Sequence, residues 1–139
     1  MIRIEIANRQ RALPVDRRIL RRAVRAILDD EGVAEAEISL AIVDDRAIRE
    51  LHRQYLGQDE PTDVLSFVLE RNEDRLEGEV IASADTARTA AARYGNSPAD
   101  ELLLYVIHGT LHLVGYRDDD RPTRAAMRAK ERKFLAAIR

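Results

Sequence analysis

Cysteine is absent from this chain. That excludes a disulfide scaffold, a thiolate nucleophile and any cysteine-ligated zinc or iron–sulfur site. A transition-metal site here has to be built from histidine and carboxylate. Tryptophan is absent too, and aromatic residues make up only 4% of the chain, which argues against a base-stacking platform. Long apolar runs are missing: the longest, Leu102 to Ile107, falls far short of a membrane span. The opening MIRIEIAN is interrupted by charges and lacks the apolar core of a secretory leader. The expectation is a soluble, cytoplasmic protein with no membrane contact. Lysine is nearly absent as well, present only as Lys130 and Lys133.

Arginine is plentiful instead. Arg17, Arg18, Arg21, Arg22 and Arg25 cluster early, and residues 121–139 form a basic tail, although the net charge is only −2. On charge alone such patches read first as solvated helix faces, and they are compatible with RNA contact. At 139 residues the chain has the size of one domain and needs no staple to fold.

The hydrophobic pattern predicts an α+β domain spanning residues 1–139, with a small mixed four-stranded sheet, about five helices and no linker. Ile2, Ile4 and Ile6 alternate with polar residues as in a strand, as do Ile38, Leu40 and Ile42 within Glu37–Val43. Two further strands are expected at Val64–Leu69 and Glu79–Ser83, separated by a charged turn. Helices are expected from Pro14 to Asp30, from Asp44 or Asp45 to about Tyr55, and from Asp85 to Gly95. Ser97 caps a fourth, which Gly115 ends, and Pro122 starts a fifth.

The fourth helix carries the chemistry. Apolar residues cover it almost all round, so it is expected to be buried. Within it, "HGTLHLVGYRDDD" holds His108 and His112 at i, i+4, one above the other on a single face. A glycine able to adopt positive φ then turns the chain, and an acidic run follows. This spacing resembles that of metalloproteases whose third ligand follows a glycine turn. The protease general base is missing, because Gly109 stands where a glutamate would follow the first histidine. Two readings stand side by side: a pair of metal ligands completed by an aspartate, or two core histidines bonded to backbone.

At this level of detail the segment resembles the H-G-x-L-H-L-x-G-Y-D-H signature of the YbeY endoribonucleases. "LHRQYLGQDEPTDVLSF", Leu51 to Phe67, resembles that family's L-N-x-x-Y-R-x-x-D-x-P-T-D-V-L-S-F, and "GEV", Gly78 to Val80, resembles its G-D-I strand. The resemblance covers nearly the whole chain. It implies one divalent metal ion, zinc in the family, held by His108, His112 and a third ligand at Asp118, where the family has histidine. An aspartate is a harder ligand and shifts preference toward manganese or another divalent ion. The register leaves Asp119 and Asp120 as alternatives. Leu56 stands where the family has an arginine linked to catalysis. Arg53, three residues earlier, is the candidate replacement cation, and His52 the candidate acid or base; its other reading is a structural histidine. Ser66 and Asp63 match the family pattern as substrate-binding candidates, or serve as a strand residue and a turn cap.

The function implied is metal-dependent, single-strand endoribonuclease action in ribosomal RNA processing (maturation of the 16S 3′ end) and ribosome quality control. The partners implied are ribosomal RNA and the small ribosomal subunit with its proteins. Two rivals remain: a weakly active or inactive ribosome-associated factor that keeps a structural metal, and a hydrolase acting on another substrate.

Overall fold

A computed structural model describes residues 1–139. The elements in chain order are β1 (Ile2–Asn8), α1 (Arg17–Asp30), β2 (Ala36–Val43), α2 (Asp45–Leu56), β3 (Val64–Arg71), β4 (Leu76–Ser83), α3 (Ala84–Tyr94), α4 (Pro98–Leu113) and α5 (Arg121–Ile138). The sheet order is β1-β2-β4-β3. β1, β2 and β4 run parallel, and β3 pairs antiparallel with β4 on one edge. This is the mixed four-stranded sheet with five helices that the periodicity predicts. No helix is long and apolar enough to cross a membrane.

Alternation along the strands divides the sheet into two faces. Ile38, Leu40 and Ile42 of β2, with Val80 and Ala82 of β4, join α1 and α4 in the main core. Val43, Leu65 and Ile81 point the other way, into a small cluster closed by Ile48 of α2. Burial of apolar area at about 25 cal/mol per Å² is the main stabilising contribution in such a core.

Several element boundaries differ from the expectations, each for a local reason. α1 begins at Arg17 rather than Pro14, because Asp16 caps it by accepting from the backbone N–H groups of Arg18 and Ile19. β4 begins at Leu76 rather than Glu79: Asn72 accepts from the N–H groups of Asp74 and Arg75, tightening the turn so that pairing resumes earlier. α3 is capped by Ser83 rather than opened by Asp85. Asp85 instead accepts from the Asp45 N–H at 2.9 Å, while Asp45 accepts from the hydroxyls of Ser83 and Thr86. The starts of α2 and α3 are thereby locked together.

α4 is the central element. It packs against α1, α3, α5, β3 and β4, and most of its residues are buried. Its approach to the sheet is close at Gly109. A Cβ there would lie 2.7 Å from Val80 Cγ1, 2.9 Å from Ser66 Oγ and 3.0 Å from Val64 Cγ2. Only glycine fits, so the position after the first histidine is closed to any side chain, a protease glutamate included.

Candidate metal centre

α4 presents His108 and His112 on one half-exposed face, near the end of the helix. The chain then reverses at Gly115, whose φ of 107° is open to glycine and strained for other residues. Arg71 of β3 donates to the Val114 carbonyl at 3.1 Å, holding the reversal against the sheet. Asp118 is thereby returned to the histidines.

Three ligand atoms converge. His108 Nε2 and His112 Nε2 are 3.0 Å apart, and Asp118 Oδ2 lies 3.4 Å from the first and 3.5 Å from the second. A point about 2 Å from all three exists, matching the bond lengths of zinc to nitrogen and to carboxylate oxygen.

The far side of each ring decides what these atoms are. His112 Nδ1 lies 3.0 Å from the Tyr116 carbonyl oxygen, which can only accept, so Nδ1 carries the proton. His108 Nδ1 lies 2.6 Å from Glu131 Oε1 of α5, again an acceptor. Both Nε2 atoms are then lone pairs facing one another and a carboxylate oxygen, with no donor among the three. A divalent cation resolves that conflict, so the donor set fits a metal ion.

In the absence of an ion, the surroundings of His108 shift it toward its protonated form. Burial pulls its pKa down, but the hydrogen bond and charge of Glu131, with the charges of Asp118 and Asp63, outweigh burial and hold it above 6.5. The side of the centre away from the rings is open, with the Asp118 side chain 43% exposed. An open side leaves room for water or substrate beside the three protein atoms.

The neighbouring aspartates are engaged elsewhere. Asp120 caps α5 through a reciprocal pair with Thr123. Asp119 faces Thr123 Oγ1 at 3.3 Å and Arg117 at 3.7 Å. Ser66 lies under α4, donating to the Gly109 carbonyl at 2.9 Å. Asp63 accepts from the Val64 N–H at the start of β3 and lies near enough to His108 for its charge to be felt.

The remaining candidates find partners outside the triad. His52 is buried, with Nδ1 donating to the Glu60 carbonyl at 2.9 Å. Arg53 is exposed and ion-paired with Glu50. Leu56, at the end of α2, is 54% exposed. Glu131, in contact with His108, is the residue of this cluster that sequence reasoning missed. Its one signal was being the sole acidic residue of α5, the most basic helix in the chain.

The family model described as endoribonuclease YbeY matches residues 5–139. A curated protein named endoribonuclease YbeY from Moorella thermoacetica is 43% identical, over 96% of this chain and 95% of that one. One of the same name from Geobacter sulfurreducens is 39% identical, over 99% of this chain and 96% of its own. A solution structure from Thermotoga maritima superposes with a TM-score of 0.69 at 29% identity, covering 99% of this chain and 89% of that one. With a match along almost its whole length, this chain belongs to the YbeY endoribonuclease family.

Proposed function

We propose that the protein is a metal-dependent endoribonuclease that cleaves single-stranded RNA during ribosomal RNA processing in the cytoplasm, at the 3′ end of 16S rRNA, and that it takes part in ribosome quality control there. The observation that carries this reading is the convergence of His108 Nε2, His112 Nε2 and Asp118 Oδ2, three acceptors without a donor, in a chain whose relatives are named endoribonucleases. The small ribosomal subunit and its proteins are the partners, and zinc is the ion proposed first.

Phosphodiester hydrolysis asks for an electrophile, a cation for developing charge and a surface for the strand. A divalent ion on the triad supplies a Lewis acid and lowers the pKa of water. The chain's own residues prepare for it. Glu131 and the Tyr116 carbonyl keep both Nδ1 atoms protonated, which aims the Nε2 lone pairs at one point. Gly109 keeps α4 close to β3, and Ser66 pins the helix there through the Gly109 carbonyl. Asp63 borders the same side, in a position to bind substrate beside Ser66. His52 and Arg53 on α2 are the remaining candidates for proton transfer and charge stabilisation, once RNA draws them from Glu60 and Glu50.

One observation favours a second reading, a ribosome-associated factor with little activity: the α2 end offers the exposed Leu56 and a cation already paired. Metal analysis of the purified protein, with cleavage of a labelled single-stranded RNA by the metal-loaded chain and by Asp118→Ala, tests the first reading. Metal-dependent cleavage lost in Asp118→Ala is expected. No cleavage with any divalent ion, alongside co-sedimentation with small subunits, would replace it with the second.

A further inference from the structure

α5 carries positive charge on two flanks with different surroundings. On one flank Lys130 and Lys133 both reach Asp30 at the end of α1, each at 3.0 Å. On the other, Arg121, Arg124, Arg128 and Arg132 are all exposed and none has a carboxylate partner. At 3.6 residues per turn these four fall within an arc of about 80° and extend about 17 Å along the axis. Glu131 borders that arc, about 20° beyond Arg124. Glu131 is also the residue that bonds His108, so the arginine arc begins where the metal centre ends. The helix itself starts immediately after the Asp118 loop, capped by Asp120.

We propose that this arginine stripe is the track along which a single RNA strand lies as it enters or leaves the metal centre. The inference rests on the nuclease reading above and specifies which surface holds the substrate. Four unneutralised charges in one row repel each other, and a polyanion relieves that repulsion. Guanidinium forks match phosphate oxygens. The exposed residues between the arginines include Ala125 and Ala129, so the stripe lacks the aromatic or large apolar anchor that a protein partner would use. The α1 arginines form a separate patch. Arg18, Arg21, Arg22 and Arg25 wall a groove with Ile138, at the far end of α5 from the metal ligands.

That patch gives a charge-matched control. In an Asp118→Ala background, which leaves RNA intact, binding of a labelled single-stranded RNA is measured across a salt series. Three proteins are compared: the background, Arg121→Gln/Arg124→Gln/Arg128→Gln/Arg132→Gln, and Arg17→Gln/Arg18→Gln/Arg21→Gln/Arg22→Gln. Each single-strand phosphate contact contributes about 0.7 to the slope of log K against log salt, so the α5 variant should be shallower by about 2–3. The α1 variant should keep the background slope. All eight positions are exposed, and thermal melts verify folding. An unchanged slope in the α5 variant, or an equal loss in both, overturns the proposal. Cleavage of the same RNA by the metal-loaded chain with Asp118 and all eight arginines intact separates it from the nuclease reading. Robust cleavage with an unaltered slope sinks the track alone; no cleavage with a slope that drops sinks the nuclease and leaves the track standing.

Discussion

The candidate metal centre and the α2 side are built on different terms. At the α4–α5 side every member of the candidate triad has a supporting contact: Glu131 behind His108, the Tyr116 carbonyl behind His112, and Arg71 fixing the reversal that delivers Asp118. At the α2 side the polar groups face one another or the backbone instead: His52 with Glu60, Arg53 with Glu50, Arg49 with Asp59. The first region brings three acceptors together without a donor, and the second satisfies itself. Preorganisation is therefore concentrated where the metal is proposed to bind, and the cation needed for phosphate chemistry is the part that is not prepared.

The sharpest way to break that contrast is to remove a ligand. Asp118→Ala leaves two imidazoles and an open side, so metal affinity should fall by well over the factor of about 10–100 that follows loss of a merely supporting group. Equilibrium dialysis against a zinc buffer reads this directly. Retained stoichiometric binding in both Asp118→Ala and His112→Ala would falsify the triad.

Next in size is the α2 side. Leu56 is exposed, so Leu56→Arg places a guanidinium at the family position with little effect on stability. If the missing cation limits cleavage, the variant should gain up to about 10²–10³ in rate, the usual worth of one preorganised transition-state donor. Arg53, held by Glu50 on the surface, is expected to matter less, so Arg53→Ala should change the rate only a few-fold. A large loss in Arg53→Ala with no gain in Leu56→Arg would show instead that Arg53 leaves Glu50 to do the work.

What was legible in the sequence follows the same division. The i, i+4 histidines, the glycine turn and the returning aspartate are local, and local geometry is written in spacing. The choice among Asp118, Asp119 and Asp120 was not legible, because it depends on Asp120 capping α5 through Thr123. Glu131 was hidden for a similar reason: it meets His108 across 23 positions through tertiary packing, which no periodicity encodes. Gly109 could be read as the absence of a protease base. That it is closed to any side chain depends on Val64, Ser66 and Val80 of two other strands. The sheet and helices emerged from alternation and apolar faces, and their ends moved wherever a side chain such as Asp16, Asn72 or Ser83 capped the backbone.

Glu131→Gln sharpens the account of the well-organised side. It should weaken metal binding by about 10–100-fold through a less basic, less constrained His108. The size of the loss should itself depend on pH. In the metal-free wild type the His108 pKa is held above 6.5, chiefly by Glu131 working against burial, so a proton competes with the metal up to that raised value. In the metal-free protein this protonation stabilises the fold, fully so below 6.5, and the contribution is lost as pH rises through the folded pKa. Glu131→Gln lowers that pKa and removes some of the competition at low pH. The gap between wild type and variant should therefore widen as pH rises from about 6 to about 8, across the unperturbed histidine value. A gap of constant size would mean that Glu131 positions the ring without shifting its proton.

The smallest effects concern the seat of α4 on the sheet. Gly109→Ala forces a methyl group against Val80, Ser66 and Val64, and such overpacking typically costs about 1–3 kcal/mol. Ser66→Ala removes one hydroxyl bond to the Gly109 carbonyl and should cost about 0.5–1.5 kcal/mol. The pair distinguishes two roles for Ser66. If the serine only seats the helix, Ser66→Ala lowers stability slightly and leaves KM for single-stranded RNA unchanged. If its hydroxyl also meets substrate, KM rises even at temperatures where the variant is fully folded. Gly109→Ala supplies the comparison, since it disturbs the same contact by displacement while Ser66 keeps its hydroxyl. Denaturant unfolding of both variants, with cleavage kinetics well below their melting temperatures, resolves the two. A KM change in Ser66→Ala much larger than in Gly109→Ala, despite its smaller stability loss, assigns the hydroxyl to substrate as well as to packing.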